Sequence, residues 1–347
     1  MTANVLPASK PCERSDGAGA SEFGDTRAEF RTLLSGCGIY DLSGRAKIAV
    51  TGGDRVRWLN GMITNNVRDL AAGHGVYAFL LNAQGRIQAD LYVFQRGEAL
   101  LVDTELGQRD KILELFDRYI IADDVEIANV SDKLAALGLT GPESRQVLER
   151  TVIAVPDLAH LQFVDVIWQG KNVTLLRSGE EAGGSWQVWT SPAHVSELWD
   201  ALVGAGARLI GSAALDLFRV SRGIPKFGVD IRDRDLPQET GQTRALNFTK
   251  GCYLGQEIVE RIRSRGAVHR QFAAFEVESG LPEPGTQIVG TKIVADEKEV
   301  GEVTSSAVLP LASGDRTIAL GYLRREAAAK DLLAGASKLK PATPPII

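Results

Sequence analysis

From Gln271 onward the sequence stops mixing helical with extended patterns and breaks into short β-rich runs at 272–277, 286–289, 292–294, 300–305 and 317–322, punctuated by glycine and proline. Runs this short and this closely spaced cannot each bury a face alone, and they predict a small C-terminal β-barrel or sandwich. The chain has 347 residues, so a long and differently patterned part precedes them, enough for two or three domains with real cores.

That earlier part alternates strands and helices. Residues 46–51 predict a strand ended by Gly52-Gly53, after which Asp54 can cap a helix over 55–60. Strands follow at 77–82, 87–95 and 99–103, joined by the hairpin-compatible turns Ala83-Gln84-Gly85 and Arg96-Gly97-Glu98. Ile112, Leu115, Phe116 and Tyr119 share one helical face within 106–121. A second unit begins at 133–140, again a strand running into a glycine and a helix, with Pro142 in the first turn. This order echoes 46–60 at an interval of about 90 residues, a hint of internal duplication. Strands at 161–168 and 172–177 precede helices opened by Ser191-Pro192 and by Ser212. The fold class is α+β: two mixed α/β domains at 25–130 and 131–268 and a small C-terminal β-barrel at 269–327. The Gly/Ala/Ser-rich residues 1–24 and the Pro-rich residues 328–347 are expected to be flexible tails.

Composition narrows the function. With 44% hydrophobic and 24% charged residues, disorder is not the main character of the chain. A net charge of −5 gives no global attraction to nucleic acid or an anionic membrane, so such contacts need a local patch. Cys12, Cys37 and Cys252 are odd in number without CxxC spacing, and His74, His160, His194 and His269 are scattered. That is a reduced, cytoplasmic pattern with no legible metal site. No apolar run approaches the roughly 18 residues of a membrane span, and the first 24 residues lack a secretory apolar core. Nucleotide motifs are absent: Gly36-Cys37-Gly38 is followed by Asp41 where a third glycine is required, and there is no P-loop.

The run Lys250-Gly251-Cys252-Tyr253-Leu254-Gly255-Gln256-Glu257 places a thiol, a cation, an amide and a carboxylate among two glycines. The helix-compatible stretch 258–262 follows, which puts Cys252 at or just before a helix N-terminus. There, unpaired N–H groups and the neighbouring Lys250 would favour a thiolate. A small buried cysteine in a Gly-rich turn explains the same residues without chemistry.

The octapeptide resembles the K-G-C-[FY]-x-G-Q-E signature of the YgfZ branch of the folate-binding YgfZ/GcvT family, which includes the glycine cleavage T-protein aminomethyltransferases. Similar segments are Tyr40-Asp41-Leu42-Ser43, the stretch 59–65 ending in Asn65, the stretch 81–91 and Gly141-Pro142. The resemblance implies two α/β domains of the aminomethyltransferase folate-binding type plus a β-barrel, with tetrahydrofolate or a derivative as cofactor. It implies that Asp90 stands near the reactive folate nitrogens, and that Arg219, Glu239, Asn65 and Lys250 line the folate site. Cys252 would be the reactive thiol. Two departures stand out. Ser221 replaces a usual Glu, and residues 177–186 lack the G-Y-T-G-E element of aminomethyltransferases, with only Glu180 or Glu181 as substitutes.

Three functions remain open on these residues: a folate-binding protein supporting assembly or repair of iron–sulfur enzymes, including tRNA-modifying ones; a folate-dependent aminomethyltransferase or demethylase; and a non-catalytic partner-binding module. The cluster Arg261, Arg263, Arg265, His269 and Arg270 would attract a polyglutamyl tail, RNA or an acidic partner, or simply form a solvated helix face.

Overall fold

The computed structural model describes residues 20–179, 184–266, 268–278 and 288–347. Cys12, Glu180, Glu181, the first half of the strand expected at 286–289 and the Arg265 side chain lie outside them.

The chain runs through α1 (Thr26–Ser35), β1 (Gly38–Asp41), β2 (Arg45–Thr51), α2 (Arg55–Met62), β3 (Gly75–Leu81), β4 (Ile87–Arg96), β5 (Ala99–Glu105), α3 (Arg109–Tyr119) and β6 (Glu126–Asn129). It continues through β7 (Ala135–Thr140), α4 (Ser144–Arg150), β8 (Phe163–Trp168), β9 (Lys171–Arg177), β10 (Ser185–Thr190), α5 (Pro192–Gly204), β11 (Arg208–Leu209) and α6 (Ser212–Ser221). It ends with α7 (Gln256–Arg265), β12 (Arg270–Glu278), β13 (Lys292–Ala295), β14 (Lys298–Leu311), β15 (Gly314–Arg324), β16 (Leu332–Ala334) and β17 (Ser337–Ala342). The class is the expected α+β. A five-stranded sheet has the order β3-β4-β5-β2-β6 and a six-stranded sheet the order β11-β1-β7-β10-β9-β8.

Two compact units divide the chain. The first takes the described residues up to Arg55, Leu70–Gly75 and the described residues from Val93 to Leu215. Its core packs Trp168, Trp186 and Trp199 with Leu137, Leu139 and Val188. Local chemistry sets its helix starts: Ser191 Oγ accepts from Ala193 N ahead of a proline in the first turn of α5, and Asp25 caps α1 through Arg27 N.

The second unit takes Val56–Asp69, Val76–Tyr92 and Asp216–Ile347. Strands β12-β15-β14-β13-β16-β17 close into a barrel around Phe275, Ile293, Val303, Leu323, Leu332 and Leu339. Here the sequence expectation of a tail at 328–347 is corrected. Strand β17 pairs antiparallel with β12, setting Leu339 against Val277, and closes the barrel. Lysines and proline made this stretch read as solvated chain. In fact Ser337 and Leu339 turn inward and Lys338 and Lys340 outward, the alternation of a half-buried strand. The chain then returns to α6, where Ile346 N donates to Ser221 O at 2.8 Å. Ser221 is buried, with its hydroxyl donating to Phe218 O at 2.8 Å. No helix among the described residues is long and apolar enough to cross a membrane.

Candidate functional site

The octapeptide forms a loop and the first two residues of α7, seated on the β3–β4 turn by two glycines. Gly255 is the N-cap of α7 with φ of 80°, and a Cβ there would stand 2.5 Å from Asn82 O. Gly85, in the turn itself with φ of 68°, would drive a Cβ to 2.7 Å from Ile258 Cβ. Each motif therefore leaves out a side chain where the other approaches, and Tyr253 and Val259 then join Tyr77, Phe79, Leu81 and Ile87 in one buried cluster. Gly255→Ala is expected to lose about 1–3 kcal/mol from backbone strain alone, with the clash adding to it. Urea unfolding of the variant measures this, and an unchanged midpoint would refute the packing argument.

Cys252 is exposed and precedes the N-cap by three residues, so it lies in the loop ahead of the helix. The Lys250 ammonium has other partners than the expected ones. It is buried and donates to Asn60 O at 2.5 Å, Ile63 O at 2.7 Å and Asn65 O at 2.7 Å. Three donors meet three acceptors, which takes up the hydrogen-bonding capacity expected to support a thiolate. Burial, with the nearby Arg68 guanidinium, lowers the Lys250 pKa to about 7, while the three carbonyls favour its charged form. Among the other octapeptide side chains, Gln256 Oε1 accepts from Tyr253 N at 3.2 Å and Glu257 is exposed. Arg68 was not singled out in sequence. Its Nη2 lies 3.9 Å from where a Cβ of Gly251 would be.

Asp90 stands on β4, half-buried, with its Oδ2 accepting from the Tyr77 hydroxyl at 2.8 Å. Burial and the Asp90 charge push the Tyr77 phenol well above its ordinary pKa, so it stays a donor. The Tyr77 ring meets Tyr92 at 5.0 Å and Phe79 at 5.5 Å, and the Arg244 guanidinium lies 5.2 Å from its centroid. Asn65 Nδ2 donates to Tyr77 O and to Arg244 O, both at 2.8 Å. The structure thus links Asp90, Asn65 and Lys250 through hydrogen bonds and adds Tyr77, Tyr92 and Arg244. The two tyrosines had a usable signal, being aromatics on the two strands of the hairpin that carries Asp90. Arg244 had none.

The bonds of Arg219 and Glu239 run elsewhere in the second unit. Arg219 donates to Asp216 at 2.6 Å, Asp230 at 2.8 Å, Ser305 Oγ at 2.9 Å and Ile224 O at 3.3 Å. Its fork therefore anchors α6 to the barrel strand β14. Glu239 Oε2 accepts from Leu236 N at 3.1 Å and Arg270 at 3.0 Å. Arg270 also donates to Asp235 at 2.7 Å and covers the Tyr322 ring at 4.6 Å, so it belongs to an internal ion-pair network rather than to a surface cluster. Arg263 pairs with Glu260 at 2.9 Å, whereas Arg261 and His269, both exposed, border an open hollow of about 380 Å³ with Glu239 in its wall. No group of three or more His, Cys, Asp or Glu among the described residues could hold a metal ion.

A two-domain α/β fold closed by a small C-terminal barrel defines the class. The solved glycine cleavage system aminomethyltransferase T from Bartonella henselae shares this fold with a TM-score of 0.80 at 20% identity, over 93% of this chain and 89% of that one. Residues 15–250 match the GCVT N-terminal domain and residues 269–347 match the CAF17 C-terminal beta-barrel domain. The chain belongs to the GCVT family, in the arrangement that carries a CAF17-type barrel. Curated relatives include aminomethyltransferases of Rubrobacter xylanophilus, 28% identical over 307 residues (88% of this chain, 81% of the relative), and of Phocaeicola vulgatus, 27% identical over 312 residues (87% and 84%).

Proposed function

We propose that this chain is a cytoplasmic YgfZ-type protein that binds tetrahydrofolate at the Asp90 hairpin and supports assembly or repair of iron–sulfur enzymes, tRNA-modifying ones among them. The observation that carries the folate half is the Asp90–Tyr77 hydrogen bond at 2.8 Å, set beside the Tyr92 ring and Arg244. A pterin offers N–H donors in a flat ring, and a carboxylate flanked by aromatic surface suits both. Asp90 could also orient a folate nitrogen or take its proton. The iron–sulfur half rests on the match of Lys250–Glu257 to the YgfZ signature and on the exposure of Cys252. One thiolate cannot hold a cluster, which needs several ligands, so an iron–sulfur client or assembly protein is the implied partner. Arg261, Arg263 and His269 remain the place for an RNA or acidic partner.

The second reading is a folate-dependent aminomethyltransferase or demethylase, favoured by Asp90 and by the names of the curated relatives. Against it stands the missing G-Y-T-G-E element at 177–186. Isothermal titration with tetrahydrofolate tests the proposal. Saturable binding is expected, and its absence would leave the non-catalytic partner-binding module. In an assay with aminomethylated carrier protein and tetrahydrofolate, little or no methylene-tetrahydrofolate is expected, and robust production would promote the transferase reading.

A further inference from the structure

The signature lysine reaches a segment far from it in sequence. Its Nζ contacts the carbonyls of Asn60, Ile63 and Asn65, in and just beyond the last turn of α2, where helix carbonyls run out of intrahelical partners. A cation there satisfies orphan acceptors and complements the negative end of the helix dipole. The residue whose carbonyl ends this clamp, Asn65, uses its side chain to hold the backbone carbonyls of Tyr77 and Arg244. Tyr77 in turn holds Asp90, and Arg244 lies over the Tyr77 ring. On the other side Lys250 is two residues from Cys252, and Leu254 N donates to Gly61 O at 3.0 Å, a second tie to the same segment.

We infer that Lys250 is a positioning residue: its ammonium locks the 60–65 segment so that Asn65 can seat Tyr77 and Asp90, and it thereby fixes the Cys252 loop and the Asp90 site in one register. The inference rests on the reading that folate binds at Asp90. It assigns the signature cation neither to the folate nor to the thiol. A neutral amine has two N–H donors and a lone pair, so it cannot serve three carbonyls. The charged groups and titratable side chains facing Lys250 are the Arg68 guanidinium and the Tyr253 phenol, whose ring centroid is 5.0 Å from Nζ. Burial raises the Tyr253 pKa to about 12, so neither neighbour changes charge near neutrality. With the lysine itself at about 7, folate affinity in the wild type should fall as pH rises through neutrality.

The test uses the full chain and the variants Lys250→Met, Asn65→Ala, their combination, and Asp90→Asn, with tetrahydrofolate as the probe. Lys250→Met is expected to raise the folate Kd about tenfold, the size of one lost charge-assisted link, and to flatten the pH profile between about 6 and 8.5. The double variant should bind no worse than the weaker single one, because both break the same chain of contacts. Hydrogen exchange at residues 60–67 and 76–81 should speed up in Lys250→Met without added folate. Wild-type affinity and exchange in Lys250→Met would overturn the inference, as would additive losses in the double variant. If Asp90→Asn binds poorly while Lys250→Met binds normally, only the positioning role falls. If the wild type does not bind folate, the folate reading falls, and unchanged exchange in Lys250→Met would then refute the clamp separately.

Discussion

Cys252→Ser is expected to abolish support of iron–sulfur enzymes in a strain lacking this protein, while leaving folding and folate binding intact. Serine keeps the size of the side chain but has no thiolate to offer as a nucleophile or metal ligand. Because Cys252 is exposed in its loop, its loss leaves no cavity and costs little stability. The contrast within the chain sharpens the test. Cys37 is 2% exposed in the core of the first unit, and burial pushes its thiol to about 11. At neutral pH, iodoacetamide should therefore label Cys252 in the folded protein and spare Cys37, with peptide mapping to separate Cys12. Enzyme activities in the complemented deletion strain are the primary measurement. Full rescue by the serine variant, or a Cys252 that alkylates only after denaturation, would remove the reactive-thiol role from this residue.

Asp90→Asn is expected to weaken tetrahydrofolate binding by about tenfold to a hundredfold, the range for losing a hydrogen bond to a charged group. Asparagine keeps an oxygen that can accept from the Tyr77 hydroxyl, so the local structure should hold and the unfolding midpoint should move little. What disappears is the charge and one acceptor, the two properties a pterin N–H would use. Tyr77→Phe is the companion measurement, since it leaves the carboxylate in place without its 2.8 Å partner and should give a smaller loss. Calorimetry on both variants decides the matter. An Asp90→Asn protein that stays folded and binds like the wild type would remove folate from this hairpin.

Local pattern made much of the architecture legible. The short β-rich runs after Gln271 announced a barrel, and strands β12 to β15 of that barrel lie where most of those runs stand. Ser191-Pro192 announced α5, because a capping hydroxyl and a proline in the first turn act within one helical turn. The Asp90 hairpin and the octapeptide were both visible as sequence, since each is contiguous. The tail at 328–347 was misread because composition was weighed over alternation: Leu332 and Leu339 sit in the barrel core while Lys338 and Lys340, alternating with Ser337 and Leu339 along β17, face out.

Partners, by contrast, were decided only in three dimensions. Nothing in the order of residues says that the Lys250 ammonium meets carbonyls at Asn60, Ile63 and Asn65, or that Arg219 meets Asp230 and Ser305. Nor does it say that Arg270 leaves a surface cluster to pair with Asp235 and Glu239. The sequence alone determined many of the helices and strands, their apolar faces and which residues could carry chemistry, because those properties follow from periodicity and residue type over a few neighbours. Tertiary structure alone decided which cations are spent inside the protein and that Asp90, Asn65 and Lys250 are linked, because hydrogen bonds reach about 3 Å and connect whatever the packed backbone brings that close, however distant along the chain.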